Sequence, residues 1–106
     1  MTVYAIQEVK GRNLLPAAEF GEVQFLLPAT SNIMFAPAPT VNRLRYALKD
    51  FTEDDYLLLI GDPLAIGVAT AVANQHARKI KFLKWDNRQY KYYPVEVELW
   101  AKIFSS

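Results

Sequence analysis

Asp55-Tyr-Leu-Leu-Leu-Ile-Gly-Asp-Pro-Leu-Ala-Ile-Gly67 is the stretch that decides the fold. Tyr56 to Ile60 are five consecutive apolar residues without alternation, the pattern of a strand covered on both faces. Gly61 breaks that strand, Asp62 suits an N-cap, and Pro63 suits the first helical turn, where its missing N–H costs nothing. A buried strand that turns straight into a capped helix is the repeating unit of an α/β domain.

Working outward from this unit, the spacing predicts alternating strand and helix on both sides. The helix from Pro63 to about Gln75 is built from Ala65, Gly67, Ala69, Thr70, Ala71 and Ala73, whose small side chains permit close approach to a sheet. Upstream, Val41, Leu44, Leu48 and Phe51 recur at spacings of three and four behind Thr40, which is suited to cap them. Arg43, Arg45 and Lys49 are directed outward. Val3–Val9 and Glu22–Leu27 read as strands, with a short helical turn over Leu14–Phe20 between them. Downstream, Lys79–Trp85 and Tyr90–Leu99 form a hairpin across the turn Asp86–Gln89, with Val95, Val97 and Leu99 opposite Glu96 and Glu98.

The expected fold is therefore a small α/β domain over residues 1–106, in two or three layers. Its order is β-β-α-β-α-β-β, with a parallel centre and a C-terminal antiparallel hairpin. The first strand is expected at the far edge or paired with the second. Two helices cover only part of five strands, so either they lie on opposite faces or a second copy of the chain covers one face. Trp100, Ile103 and Phe104, in the short tail at residues 100–106, are a means of such self-association or else pack on their own hairpin. A proline-rich loop over residues 28–39 is long for so small a domain.

Composition bounds the function. At 106 residues there is room for one core, and 52% apolar against 22% charged residues places the chain among globular proteins. A formal charge of +1 gives no global field for nucleic acid or anionic membranes, so any such role needs a local patch. Cysteine is absent, which removes disulfides, thiolate catalysis and cysteine-based metal sites. No apolar run approaches the roughly 18 residues of a spanning helix and the N-terminus lacks a leader pattern, so a cytoplasmic location without membrane contact is expected.

Candidate chemistry gathers in three places. In parallel sheets ligands bind beyond the carboxyl ends of the strands, which here carry Gly61 and Asp62 after the central strand and Asp86 after the next. Two such carboxylates suit a magnesium ion, or each simply caps a local turn. Asp62 would repel a phosphate at the helix terminus, and the glycine spacing matches neither nucleotide-binding fingerprint. Ile33, Met34 and Phe35 form an apolar loop between prolines that either covers the core or grips a partner. Lys79-Ile-Lys-Phe-Leu-Lys-Trp-Asp-Asn-Arg-Gln-Tyr-Lys-Tyr-Tyr93 sets five basic residues among aromatics. Such a hairpin suits single-stranded nucleic acid, a protein surface using Trp85, Arg88, Tyr90 and Tyr92, or no ligand at all. Strand alternation splits its cations between two faces. Serine occurs only at positions 31, 105 and 106 and the single histidine is His76, so nothing marks a catalytic set, a metal centre or a cofactor, and a non-enzymatic role is expected.

Ala47-Leu-Lys-Asp-Phe51, the central Asp55–Pro63 and Ile66-Gly67, Leu83-Lys-Trp-Asp86 and Tyr92-Tyr-Pro-Val-Glu96 together resemble small uncharacterised proteins encoded by tailed bacteriophages. The resemblance spans about residues 46–99 and leaves the N-terminal third unmatched. It implies expression inside an infected bacterium, hence the host cytoplasm, and an accessory protein that binds a host or phage macromolecule. No catalytic residue is carried over. The leading expectation is a viral accessory protein that binds a host or phage protein, with a homodimer as its expected self-association. The alternative is a nucleotide or single-stranded nucleic-acid binder using the strand-end edge or the residue 79–93 hairpin.

Overall fold

The computed structural model describes residues 1–99, so the tail with Trp100, Ile103 and Phe104 lies outside the described residues. Strands β1 (Thr2–Gln7), β2 (Glu22–Leu27), β3 (Tyr56–Leu58), β4 (Lys79–Asp86) and β5 (Lys91–Glu98) alternate with helices α1 (Pro37–Ala47) and α2 (Pro63–Asn74). A 3-10 segment, Leu15–Phe20, joins β1 to β2. One sheet runs in the order β2-β1-β3-β4-β5. β1 is parallel to both β2 and β3, β3 is parallel to β4, and β5 returns antiparallel.

The α/β class, the parallel centre and the hairpin are as expected. β1 pairs with β2, as one of the two expectations had it, but stands inside the sheet with β2 at the edge. Four strands are therefore parallel rather than three.

Both helices lie on one face, where Leu44 of α1, Leu48 at its C-cap and Ala65, Ala69 and Ala73 of α2 pack against Tyr4, Ile6, Leu57 and Ile80. On the opposite face the β1–β2 crossover packs, with Ala17, Leu14 and Phe20 against Val3, Ala5, Leu58 and Leu83, so the two helices do not divide between the faces. Right-handed crossovers require this arrangement. The chain moves one way across the sheet from β1 to β2 and the other way afterwards, so the first connection must pack on the reverse side.

α1 starts at Pro37, three residues before the expected cap. Thr40 is buried inside the first turn and donates its hydroxyl to Ala36 O at 2.7 Å, while Pro37 occupies a position where no N–H is needed. The long loop shrinks accordingly. Asp62 does cap α2, accepting from Leu64 N–H at 2.8 Å. β3 is shorter than its apolar run. Ile60 N–H bonds Leu58 O, Ile60 O accepts from Gln7 N–H, and Leu59 is left exposed.

Alternation misjudges β5. Val95 is 42% exposed whereas Tyr92, on the opposite face, is buried at 6%. The helices pack over β2, β1, β3 and β4 rather than β5, while the 3-10 crossover reaches β5 from the other side. Both outer edges are protected. Arg43 Nε donates to Leu26 O on β2 at 3.3 Å, and Pro94, which has no N–H, sits mid-strand in β5.

Candidate hairpin cleft

Because β3 ends at Leu58, opposite Leu83, the residues Lys84, Trp85 and Asp86 extend beyond it, and among the described residues β5 is their only strand neighbour. A cleft of about 510 Å³ occupies the vacated place. Its floor is the buried Leu58, Ile60, Leu83 and Tyr92, and its rim carries the exposed Arg12, Lys84 and Asn87. An apolar floor with a few convergent polar groups is the usual make-up of a binding site. Among the described residues no carboxylate lines it, and neither Arg12 nor Lys84 has an ion-pair partner.

Trp85 and Tyr92 face each other across the β4–β5 ladder, their rings edge-on with centroids 4.9 Å apart. Tyr90 meets Trp85 from the turn, also edge-on, at 6.4 Å. Asp86 organises that turn. Its carboxylate accepts from Arg88 N–H at 2.8 Å and its carbonyl from Tyr90 N–H at 2.8 Å. The turn closes with Tyr90 at φ +53°, the one non-glycine residue with positive φ among the described residues. Asparagine or glycine occupies such a position at less cost than an aromatic residue. The tyrosine is nonetheless 75% exposed there.

Burial pushes the Tyr92 phenol above its ordinary pKa of 10.0, and the Arg12 guanidinium pulls it part of the way back. Tyr4 is raised as well, by burial and then by the negative charges of Asp55 and Asp50, against a smaller opposing hydrogen bond with Thr2. A phenol with a raised native pKa holds its proton more tightly when folded. Its contribution is therefore complete below pH 10 and is lost as pH climbs through the native value. Tyrosinate absorbance during alkaline titration should show two phenols of the six ionising late, and unfolding should accompany them. Tyr92→Phe should shift alkaline unfolding to higher pH, and an unchanged profile would remove Tyr92 as a cause.

The other sequence candidates are dispersed. Ile33 is buried at 3% and belongs to the helix-side core, which corrects its place among contact residues, while Met34 and Phe35 project at 66% and 79% exposure. Neither lines the hairpin clefts. Arg88 borders a smaller cleft on the other side of the hairpin with Tyr93 and Val95.

At the point where the sheet order reverses, between β1 and β3, the crevice expected to admit a ligand is plugged by Gln7. Its side chain donates to Ser31 O at 2.8 Å and accepts from Asp62 N–H at 2.9 Å. Gly61 passes so close that an added Cβ would lie 2.4 Å from Gln7 Cβ. Asp62 lines an open hollow beside that plug and Asp86 a separate one at the hairpin, so the two carboxylates share no cleft. Among the described residues no group of three or more histidine, cysteine, aspartate or glutamate side chains could hold a metal, and no helix is long and apolar enough to cross a membrane.

Sequence reasoning missed Arg12 and Asn87, which belong to no motif, and Gln7, whose polarity at the end of an apolar strand is a usable signal.

In comparisons with known proteins, a family model described as Phage Pam3 gp32-like protein matches residues 1–99, including the N-terminal third to which the sequence resemblance did not extend. No curated protein and no solved structure matches the chain.

Proposed function

We propose that this chain, which belongs to the phage Pam3 gp32-like protein family and is thus a small phage protein, is a binding module that grips a host or phage protein through its C-terminal hairpin. Tyr90 carries the reading. An exposed aromatic residue held at positive φ and propped edge-on against Trp85 is an expense for the fold with no return in core packing. Backbone strain of this kind, about 1 kcal/mol or more for a bulky residue, persists where it serves a function. Trp, Tyr and Arg are also the residues that dominate protein–protein binding energy, and Trp85, Tyr90, Tyr92, Arg88 and Arg12 are all on or beside this hairpin.

The single-stranded nucleic-acid alternative is weaker on register grounds. Glu98 stands opposite Lys79 and Glu96 opposite Lys81, so positive charge does not continue down the strands as a phosphate backbone requires. Accessory roles and action in the host cytoplasm follow from the binding reading and stand or fall with it.

Tyr90→Asn separates binding from folding. Asparagine tolerates the positive φ, so stability should stay within about 1 kcal/mol of the parent, the relieved strain offsetting the lost ring contact. Capture of a protein from nuclease-treated infected-cell lysate by the tagged chain should fall about tenfold or more, the loss typical of a truncated interface anchor. Undiminished capture by Tyr90→Asn and Arg88→Ala would sink the assignment of the hairpin, and capture abolished by nuclease would favour nucleic acid.

A further inference from the structure

We infer that the hairpin cleft takes an extended, acidic segment of the partner protein, its carboxylates meeting Arg12 and Lys84 and an apolar side chain resting over Leu83 and Trp85; this rests on the protein-binding reading above. Charge is the first argument. Two cations stand on the rim, and among the described residues no carboxylate lines the cleft and neither cation is paired. An acidic occupant supplies the missing counter-charges, and such complementarity selects partners and speeds encounter.

Backbone geometry is the second. At Lys84–Asp86, β4 has among the described residues a strand neighbour on one side only, because β3 turns away at Ile60. Alternate residues of a strand direct their N–H and C=O groups to opposite neighbours, so part of this segment faces the cleft. An extended peptide laid there takes the place β3 leaves, in the manner of strand addition. The two outer edges of the sheet are less receptive, since Arg43 occupies Leu26 O and Pro94 offers no donor. The cleft's 510 Å³ suits a few side chains rather than a folded surface.

The test is selection of binders from a library of random peptides of about twelve residues on the immobilised full chain. Anisotropy measurements with synthesised binders follow, on the parent chain, Tyr90→Asn, and the double variant Arg12→Gln, Lys84→Gln. Both cations are exposed, so the double variant should fold, as circular dichroism would verify. The expected result is peptides of net negative charge carrying an aromatic or aliphatic anchor. Their affinity should fall about tenfold in the double variant and weaken with added salt, as a pair of rim charges warrants. Neutral or basic peptides that lose affinity in Tyr90→Asn would overturn the acidic segment and leave the hairpin reading standing. Acidic peptides indifferent to the double variant would do the same. Oligothymidylate binding lost in the double variant, with no peptide bound, would overturn both, as would a selection that yields no binder sensitive to either variant.

Discussion

Gly61→Ala is expected to destabilise the protein by about 3 kcal/mol or more, and a urea melt is the direct check. Two costs add. The backbone at Gly61 sits at φ +116°, a region that residues with a Cβ rarely adopt, and the new methyl carbon would lie 2.4 Å from Gln7 Cβ and 3.3 Å from Gln7 Cα. The obstacle is the stem of a buried side chain on a central strand, which cannot swing aside as a surface lysine would. Moving it would disturb the bonds from Gln7 to Ser31 O and Asp62 N–H that hold three loops together. Gly67→Ala is the internal contrast. That glycine lies within α2 with nothing within 4 Å of its added Cβ, so the substitution should stabilise by up to about 1 kcal/mol through helix propensity. If both alanines behave alike, the account of Gly61 is wrong.

Asp55→Ala should cost about 2–4 kcal/mol. Asp55 is 8% exposed, and its carboxylate accepts from Thr2 N–H at 2.9 Å, from Thr52 N–H at 2.9 Å and from the Thr52 hydroxyl at 3.2 Å. One side chain thereby joins the start of β1 to the turn that delivers β3, across 53 residues of sequence. Alanine leaves two backbone donors without their acceptor in a part-buried setting, which is dearer than losing a hydrogen bond at the surface. Exposed Glu53 and Asp54, in the same acidic run, should tolerate alanine within about 0.5 kcal/mol. Equal losses at all three positions in denaturant unfolding would refute the special role of Asp55.

In the sequence, Thr52-Glu-Asp-Asp55 is one polar run, and nothing local singles out the last residue as a clasp. The same limit explains the mixed outcome elsewhere. Asp62 was legible as a cap because its partner, Leu64 N–H, is two residues away. Gln7 was not legible as a plug, because its partner Asp62 N–H lies 55 residues on. Ile33, Met34 and Phe35 looked alike as an apolar run, and only packing turned Ile33 inward and left the other two outside. At the candidate cleft, Trp85, Tyr90 and Tyr92 stood out by residue type, whereas Arg12 reaches the same place from a turn some seventy positions away and carried no mark of it.

Local residue patterns set the succession of elements, the break at Gly61, the cap at Asp62, the hairpin around Asp86 and the exclusion of cysteine chemistry. Each depends on periodicity, propensity or hydrogen bonds between near neighbours, and these are written within a few residues. Tertiary structure decided the rest. It set β1 inside the sheet, put both helices on one face, ended β3 early, and buried Tyr92 in preference to Val95. These outcomes turn on which side of a twisted sheet each crossover packs and on contacts between distant segments. The cleft beside β4 exists only because of them.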